Sequence, residues 1–220
     1  MYKPGGTIKQ LLDKVASQEY ILPAIQREFV WWPEQICRLF DSLMQGYPFG
    51  TFLFWRIAPE KRQEYQFYDF VRDYHERDNY HCALLKALPE RDLVAVLDGQ
   101  QRMTALNIGL RGSYAWKLPG KWWSSNDAFP IRHLYLDLLG ESDAETGSEY
   151  RFEFLTETAT KLTEDGQLWL RVCRVLVESE DDLIDSLDEL DLCADQRKQA
   201  KKVLRHLYRT VHHKELISYY

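Results

Sequence analysis

The sequence predicts an α/β protein of the α+β kind, and three observations carry that expectation. Runs of strand length, Thr51 to Ile57 and Leu93 to Leu97, are β-branched, aromatic or continuously apolar and are bounded by glycine-containing turns. Apolar residues recur at helical spacing around Ile8 to Val15, Ile36 to Leu43 and Val203 to Val211. The 220 residues are 45 % hydrophobic and 28 % charged with only 11 Gly and 8 Pro, a globular composition that excludes a collagenous or wholly disordered chain.

Along the chain, Thr7 supplies a capping hydroxyl to an amphipathic helix ending near Ala16, and Tyr20 to Pro23 reads as extended. Pro33 sits where a first helical turn accepts proline, and the stripe Ile36, Leu39, Phe40 and Leu43 ends before Gly46. After the turn Gly46-Tyr47-Pro48-Phe49-Gly50, residues 51 to 57 form a strand expected to be buried. Residues 60 to 92 are mixed in character, with a short strand at Tyr65 to Tyr68 and helix at Asp69 to Tyr74. Leu93 to Leu97 is a strand that stops at Asp98-Gly99 and passes into a helix from Gln100. Extended segments follow at His133 to Leu138, Tyr150 to Leu155 and Leu168 to Val172 before a helical tail.

Charge divides unevenly. Up to Gly112 the chain holds 14 Lys+Arg against 14 Asp+Glu, and the remainder holds 14 against 20, so the net −6 lies wholly in the second part. Such a chain is not a general nucleic-acid coat, because non-specific binding needs an excess of cations to neutralise phosphates. Within the tail, Glu178 to Asp195 carries nine acids and no Lys or Arg, while Arg197 to Lys214 carries seven Lys or Arg and no acid. Mutual pairing is expected to take precedence over a DNA contact by the row Lys198, Lys202, Arg205 and Arg209. Cys37, Cys82, Cys173 and Cys193 are too scattered for a zinc knuckle or disulfide framework. No stretch approaches the roughly 18 apolar residues of a membrane span, and no apolar signal core follows Met1, so a soluble cytoplasmic protein without a membrane partner is expected.

The chemistry concentrates in Leu97-Asp98-Gly99-Gln100-Gln101-Arg102. A strand that ends in Asp-Gly and feeds a helix brings backbone close to a ligand and aims the first helical N–H groups outward. With Gln100, Gln101 and the fixed charge of Arg102, this end forms a phosphate cradle, and Asp98 is placed to orient water or a metal shell. A plain helix cap with solvated amides is the competing reading of such a short string. Upstream stand Gln26-Arg27-Glu28-Phe29-Val30-Trp31 and Asp41-Ser42-Leu43-Met44-Gln45-Gly46-Tyr47-Pro48-Phe49-Gly50.

In their order Q-R-x-F-x-W, D-S-L-x-x-G-Y-P-x-G and D-G-Q-Q-R, these blocks resemble the N-terminal domain of GmrSD-type modification-dependent restriction endonucleases, chiefly over residues 5 to 112. The resemblance implies a core related to ParB and sulfiredoxin over residues 1–112, with a strand-and-helix extension over 113–220 that relatives continue beyond. It implies binding and hydrolysis of a nucleoside triphosphate with Mg²⁺, in a regulatory module of a restriction or anti-phage defence system. On this resemblance Asp98, Arg102 and Arg27 are the catalytic candidates and Gly99, Gln100, Gln101 and Gln26 the phosphate-binding ones. Asp98 is the one metal candidate, through Mg²⁺. The turn from Gly46 to Gly50 is implied to border the pocket.

The implied partners are the nucleotide, an HNH-type nuclease domain or subunit, and DNA through the complete protein. Nuclease chemistry of that type needs paired histidines with an acid around a metal, and His212-His213 lies in the basic block without such an acid. Two alternatives stand beside the nucleotide hydrolase: a non-hydrolysing DNA- or protein-interaction module on the same fold, and a direct nuclease. Of the seven tryptophans most are expected in the core, with Trp122-Trp123 the exposed pair.

Overall fold

The computed structural model of the chain describes residues 3–4, 6–25, 28–48, 50–161, 166–215 and 218–219. After the short strand β1 (Lys3–Pro4), the Thr7 hydroxyl accepts from the Gln10 amide and the Gln10 side chain accepts from the Thr7 N–H, a reciprocal cap that starts α1 (Ile8–Ala16). Its apolar face, Ile8, Leu11, Leu12 and Val15, is buried as the spacing predicts. β2 (Tyr20–Pro23) follows, and α2 (Pro33–Gln45) places proline at its first position, where a helix has no use for the missing N–H. Beyond it come β3 (Thr51–Ile57), β4 (Phe67–Tyr68), β5 (Asp73–His75) and β6 (Leu93–Asp98), which turns through Gly99 into α3 (Gln100–Arg111). The remainder comprises β7 (Ser113–Ala115), β8 (Ile131–Asp137), β9 (Phe152–Leu155), α4 (Glu157–Lys161), β10 (Trp169–Arg171), α5 (Arg174–Val177), α6 (Glu180–Asp188), α7 (Ala194–His212) and β11 (Ser218–Tyr219).

The mixed α+β architecture rests on two sheets. A six-stranded sheet runs in the order β1-β11-β3-β6-β2-β4, with β6 antiparallel to β3 and parallel to β2. In the second sheet β8 pairs antiparallel with β7, β9 and β10, and β5 lies parallel to β7. One apolar core runs from Ile8 to Val211 and takes residues from both sides of Gly112. A smaller cluster of Ile21, Ile57, Phe67, Leu93 and Ala95 lies apart from it. The two halves of the chain are further tied by β11, which pairs parallel with β3 and antiparallel with β1.

Three local expectations are corrected. Residues 69–74 are not helical: Phe70 and Val71 are both buried, and Asp73–His75 pairs with Ser113–Ala115 as a parallel strand. The strand pairing at Asp73 and Tyr74 excludes a helix there, and the Val71 carbonyl is held by the Asn107 side-chain amide at 3.0 Å. β3 is only partly buried: Phe52 and Ile57 are covered, but Leu53 is 41 % exposed. No tryptophan is fully buried, although Trp31 and Trp116 pack partly buried against the main core and Trp55 against the smaller cluster. Several instead hold a polar or aromatic neighbour at the rim, as Trp116 does with the Arg132 guanidinium 3.5 Å from its ring centroid and Trp55 does edge-on with Tyr65.

The charged tail folds as complementary helices. Asp188 of α6 meets Lys201 at 2.6 Å and Arg197 at 3.6 Å, and Glu180 meets Arg205 at 3.8 Å. Lys201 holds the Asp188 carboxyl below its usual range.

Candidate functional site

The turn between β6 and α3 is shaped by two irregularities. Leu53 faces Asp98 while Phe54 faces Val96, so two steps along β6 oppose one along β3. A bulge of this kind twists the strand and re-aims its end. Next, Gly99 takes φ of 90°, a left-handed conformation that side chains avoid, and a Cβ built there would strike the ring of the fully buried Phe52. No side chain of the described residues caps α3. Helix N-termini of this form present N–H donors and partial positive charge to an anion.

An open cavity of about 470 Å³ lies against this turn, lined by Ile25, Trp31 and the five residues Asp98 to Arg102. The Asp98 side chain is 75 % exposed at its rim, and one carboxylate oxygen is 3.9 Å from an Arg102 nitrogen. Arg102 is held from three sides: it donates to the Thr51 carbonyl at 2.7 Å, stacks 4.9 Å from the Phe52 ring centroid, and passes so close to Gly50 that a Cβ there would overlap the guanidinium. Partial burial draws the Arg102 pKa below its ordinary value, yet a guanidinium keeps its charge. The Gly46 to Gly50 turn thus reaches the site through Gly50. Gln100 is buried at the start of α3.

Gln101 is differently engaged. Its amide nitrogen donates to the Glu28 carbonyl at 2.8 Å and its oxygen accepts from the Val30 N–H at 3.0 Å, so both ends of the side chain grip the backbone of 28–30. The same segment is fixed by buried Phe29, packed on Tyr74, and by the Tyr114 hydroxyl, which donates to the Trp31 carbonyl at 3.0 Å. Burial pushes the Tyr114 hydroxyl pKa up, so it remains a donor. Gln26 and Arg27, which precede this segment, lie outside the described residues. The five candidates from Asp98 to Arg102 therefore share one cavity, and Gln101 also clamps the loop that follows the other two. Sequence reading missed the supporting Thr51, Phe52 and Tyr114, because a lone aromatic residue or a strand carbonyl carries no local signature.

Other features fall away from this site. Asp41, from the second motif block, is buried and accepts from the N–H groups of Glu149 and Tyr150 at 3.1 and 2.9 Å and from Gln45 at 2.9 Å, which makes it a brace between α2 and the loop before β9. His212 donates from Nε2 to the Val175 carbonyl at 2.7 Å and stacks on Tyr208. Trp122 is 83 % exposed, as expected of the loop pair. Among the described residues, no three His, Cys, Asp or Glu side chains gather as metal ligands, and no helix is long and apolar enough to cross a membrane.

Residues 8–220 match the family model described as "GmrSD restriction endonuclease, N-terminal domain". The match extends well past the three motif blocks, into α7 and the last strand. An uncharacterized protein of Methanocaldococcus jannaschii is 39 % identical over 101 residues, which is 44 % of this chain and 16 % of that protein. The chain thus corresponds to a small part of the length of the curated relative it matches.

Proposed function

This chain belongs to the GmrSD restriction endonuclease N-terminal domain family, and from that premise we propose that the Asp98 to Arg102 turn binds a nucleoside triphosphate and hydrolyses it to regulate a nuclease. The family points to a component of a restriction system with a further nuclease domain or partner. The observation that supports the finer reading is the open cavity at the start of α3, where an exposed carboxylate and a braced guanidinium stand at the rim of a helix N-terminus.

In this reading the backbone N–H groups after Gly99 receive the phosphates, since they need no side chain and the left-handed glycine lets a phosphate approach. Gln100 and Gln26 add amide donors. Arg102 neutralises charge that develops on the transferred phosphoryl group, with Arg27 as the second cation. The contacts to Thr51, Phe52 and Gly50 fix the guanidinium before substrate arrives, so little reorganisation is needed at the moment of reaction. Asp98 accepts a proton or a hydrogen bond from the attacking water. Gln101 contributes by position, holding residues 28–30 against α3. Mg²⁺ would be held from the protein side by Asp98, the one carboxylate of the turn, and would there offset phosphate charge. Any nuclease gating and recognition of modified DNA belong to the complete protein.

The test is titration of the purified chain with each nucleoside triphosphate and Mg²⁺, with phosphate release as readout. Turnover that is lost in Asp98→Asn and Arg102→Lys, with unchanged melting temperature in Asp98→Asn, supports the reading. Binding without turnover would leave a non-hydrolysing interaction module, and no binding at all removes the nucleotide from this turn. Arg102→Ala is the poorer variant, because the side chain also packs on Phe52 and bonds the Thr51 carbonyl.

A further inference from the structure

The acidic block does not cover the whole of α7. At 3.6 residues per turn, Lys198, Lys202, Arg205 and Arg209 fall within an arc of about 60°, whereas Arg197 and Lys201 lie to one side of it. Asp188 takes Arg197 and Lys201, and Glu180 reaches only Arg205, at the boundary between the two faces. Among the described residues, no carboxylate comes within ion-pair distance of Lys198, Lys202 or Arg209, and all three are exposed. These side chains line an open groove of about 790 Å³ whose far wall includes Tyr150 and one acid, Glu149. The His206 ring, stacked on Tyr150 with Nε2 donating to the Met44 carbonyl at 2.6 Å, anchors the helix at that wall.

We propose that this outer row of α7, Lys198, Lys202, Arg205 and Arg209, is a docking surface for the phosphate backbone of duplex DNA. The row is about 16 Å long, from eleven helical steps of 1.5 Å. That is long enough to follow several consecutive phosphates of one strand, which advance about 3.4 Å each along the duplex axis. Small-molecule sites are concave, mostly apolar and have few polar groups. This groove instead offers four cations in one line, open to solvent, and suits an extended polyanion rather than a single nucleotide. It shares no residue with the cavity at Asp98 and does not rest on the nucleotide reading. Because the surface holds the backbone and not base edges, it positions DNA without reading sequence. It also reconciles a chain of net charge −6 with DNA contact, since Asp188 of α6 is engaged by Arg197 and Lys201 to one side of the row and Glu180 reaches only Arg205 within it.

The experiment is fluorescence anisotropy of the full chain with a labelled 20-base-pair duplex at 50 to 200 mM salt, without nucleotide. Three phosphate contacts contribute a salt slope of about 2.7, so binding by the parent chain should weaken by about 40-fold over that range on their account. Lys198→Gln, Lys202→Gln and Arg209→Gln together should lower affinity at least tenfold at 50 mM and flatten the slope by about the same 2.7. A control triple, Lys86→Gln, Arg91→Gln and Lys121→Gln, removes equal charge elsewhere and should stay within twofold of the parent. If the triple variant misfolds by circular dichroism, the single substitutions still carry the test, each flattening the slope by about 0.9. Three results overturn the proposal: no binding of duplex at 50 mM, equal loss in both triples, or poly-glutamate bound as tightly as DNA, which would make the row a site for an acidic protein.

Discussion

Replacing Gly99 by alanine tests the geometry on which the whole turn depends. Two costs are incurred together. A side chain at φ of 90° is strained by about 1–2 kcal/mol. The new Cβ also meets the Phe52 ring, which is fully buried and cannot turn outward, and overpacking of this kind costs about 1–3 kcal/mol. Their sum is about 2–5 kcal/mol, which in a chain of this size lowers the melting temperature by roughly 4–20 °C. Gly46 provides an internal control, because its φ is 85° but a Cβ there meets nothing within 4 Å. Gly46→Ala should therefore show only the strain, about 1–2 kcal/mol. Thermal and urea melts of both variants, measured by circular dichroism, separate the contact with Phe52 from the backbone term. If Gly99→Ala melts no lower than Gly46→Ala, the close approach of the turn to β3 is refuted.

Further outcomes follow from particular bonds. Gln101→Ala should release the backbone it grips, and exchange of the Val30 amide hydrogen, followed by NMR, should quicken at least about fivefold, the equivalent of one lost bond near 1 kcal/mol; an unchanged rate would show that Phe29 and Tyr114 suffice. Asp41→Ala leaves the amides of Glu149 and Tyr150 without their carboxylate and should cost about 2–4 kcal/mol in urea unfolding, while Asp41→Asn recovers part of it. Arg174 holds the Glu178 carboxyl below its ordinary value of 4.5. A carboxylate whose pKa is lowered by folding contributes stability above its unfolded value and loses it as pH falls through the folded one. Glu178→Gln should therefore melt below the parent chain at pH 7, with the gap closing well below pH 4.5; a gap that persists in acid would assign it to packing instead.

Much of this was legible before any coordinates. Helices α1 and α2 declare themselves by a Thr7 cap, a Pro33 start and stripes at helical spacing, because each signal is local. The passage from β6 through Gly99 into α3 is local in the same way, so Asp98 to Arg102 could be picked out as one strand-to-helix turn. What escaped was non-local. Residues 69–74 carry no helix-breaking residue, and the strand at Asp73 and Tyr74 is set by pairing with β7 some forty positions later. The brace on Arg102 comes from β3, and the grip of Gln101 on 28–30 spans more than seventy positions, so neither leaves a pattern within a short window. Asp41 shows the reverse case: it stands in a distinctive motif, yet its carboxylate serves the loop before β9 rather than any reacting group.

The parallel pairing of β11 with β3 bears on how this protein should be handled at the bench. A fragment ending at Gly112 would retain every motif residue and yet strip β3 of its outer neighbour. It would also bare the sides of α1 and α2 that α7 covers. An unpaired strand edge beside uncovered apolar helix faces invites association with other copies. Minimal pieces bearing the Asp98 turn are thus expected to aggregate, and a failed nucleotide assay on a fragment of that length would report on solubility rather than on the proposed chemistry.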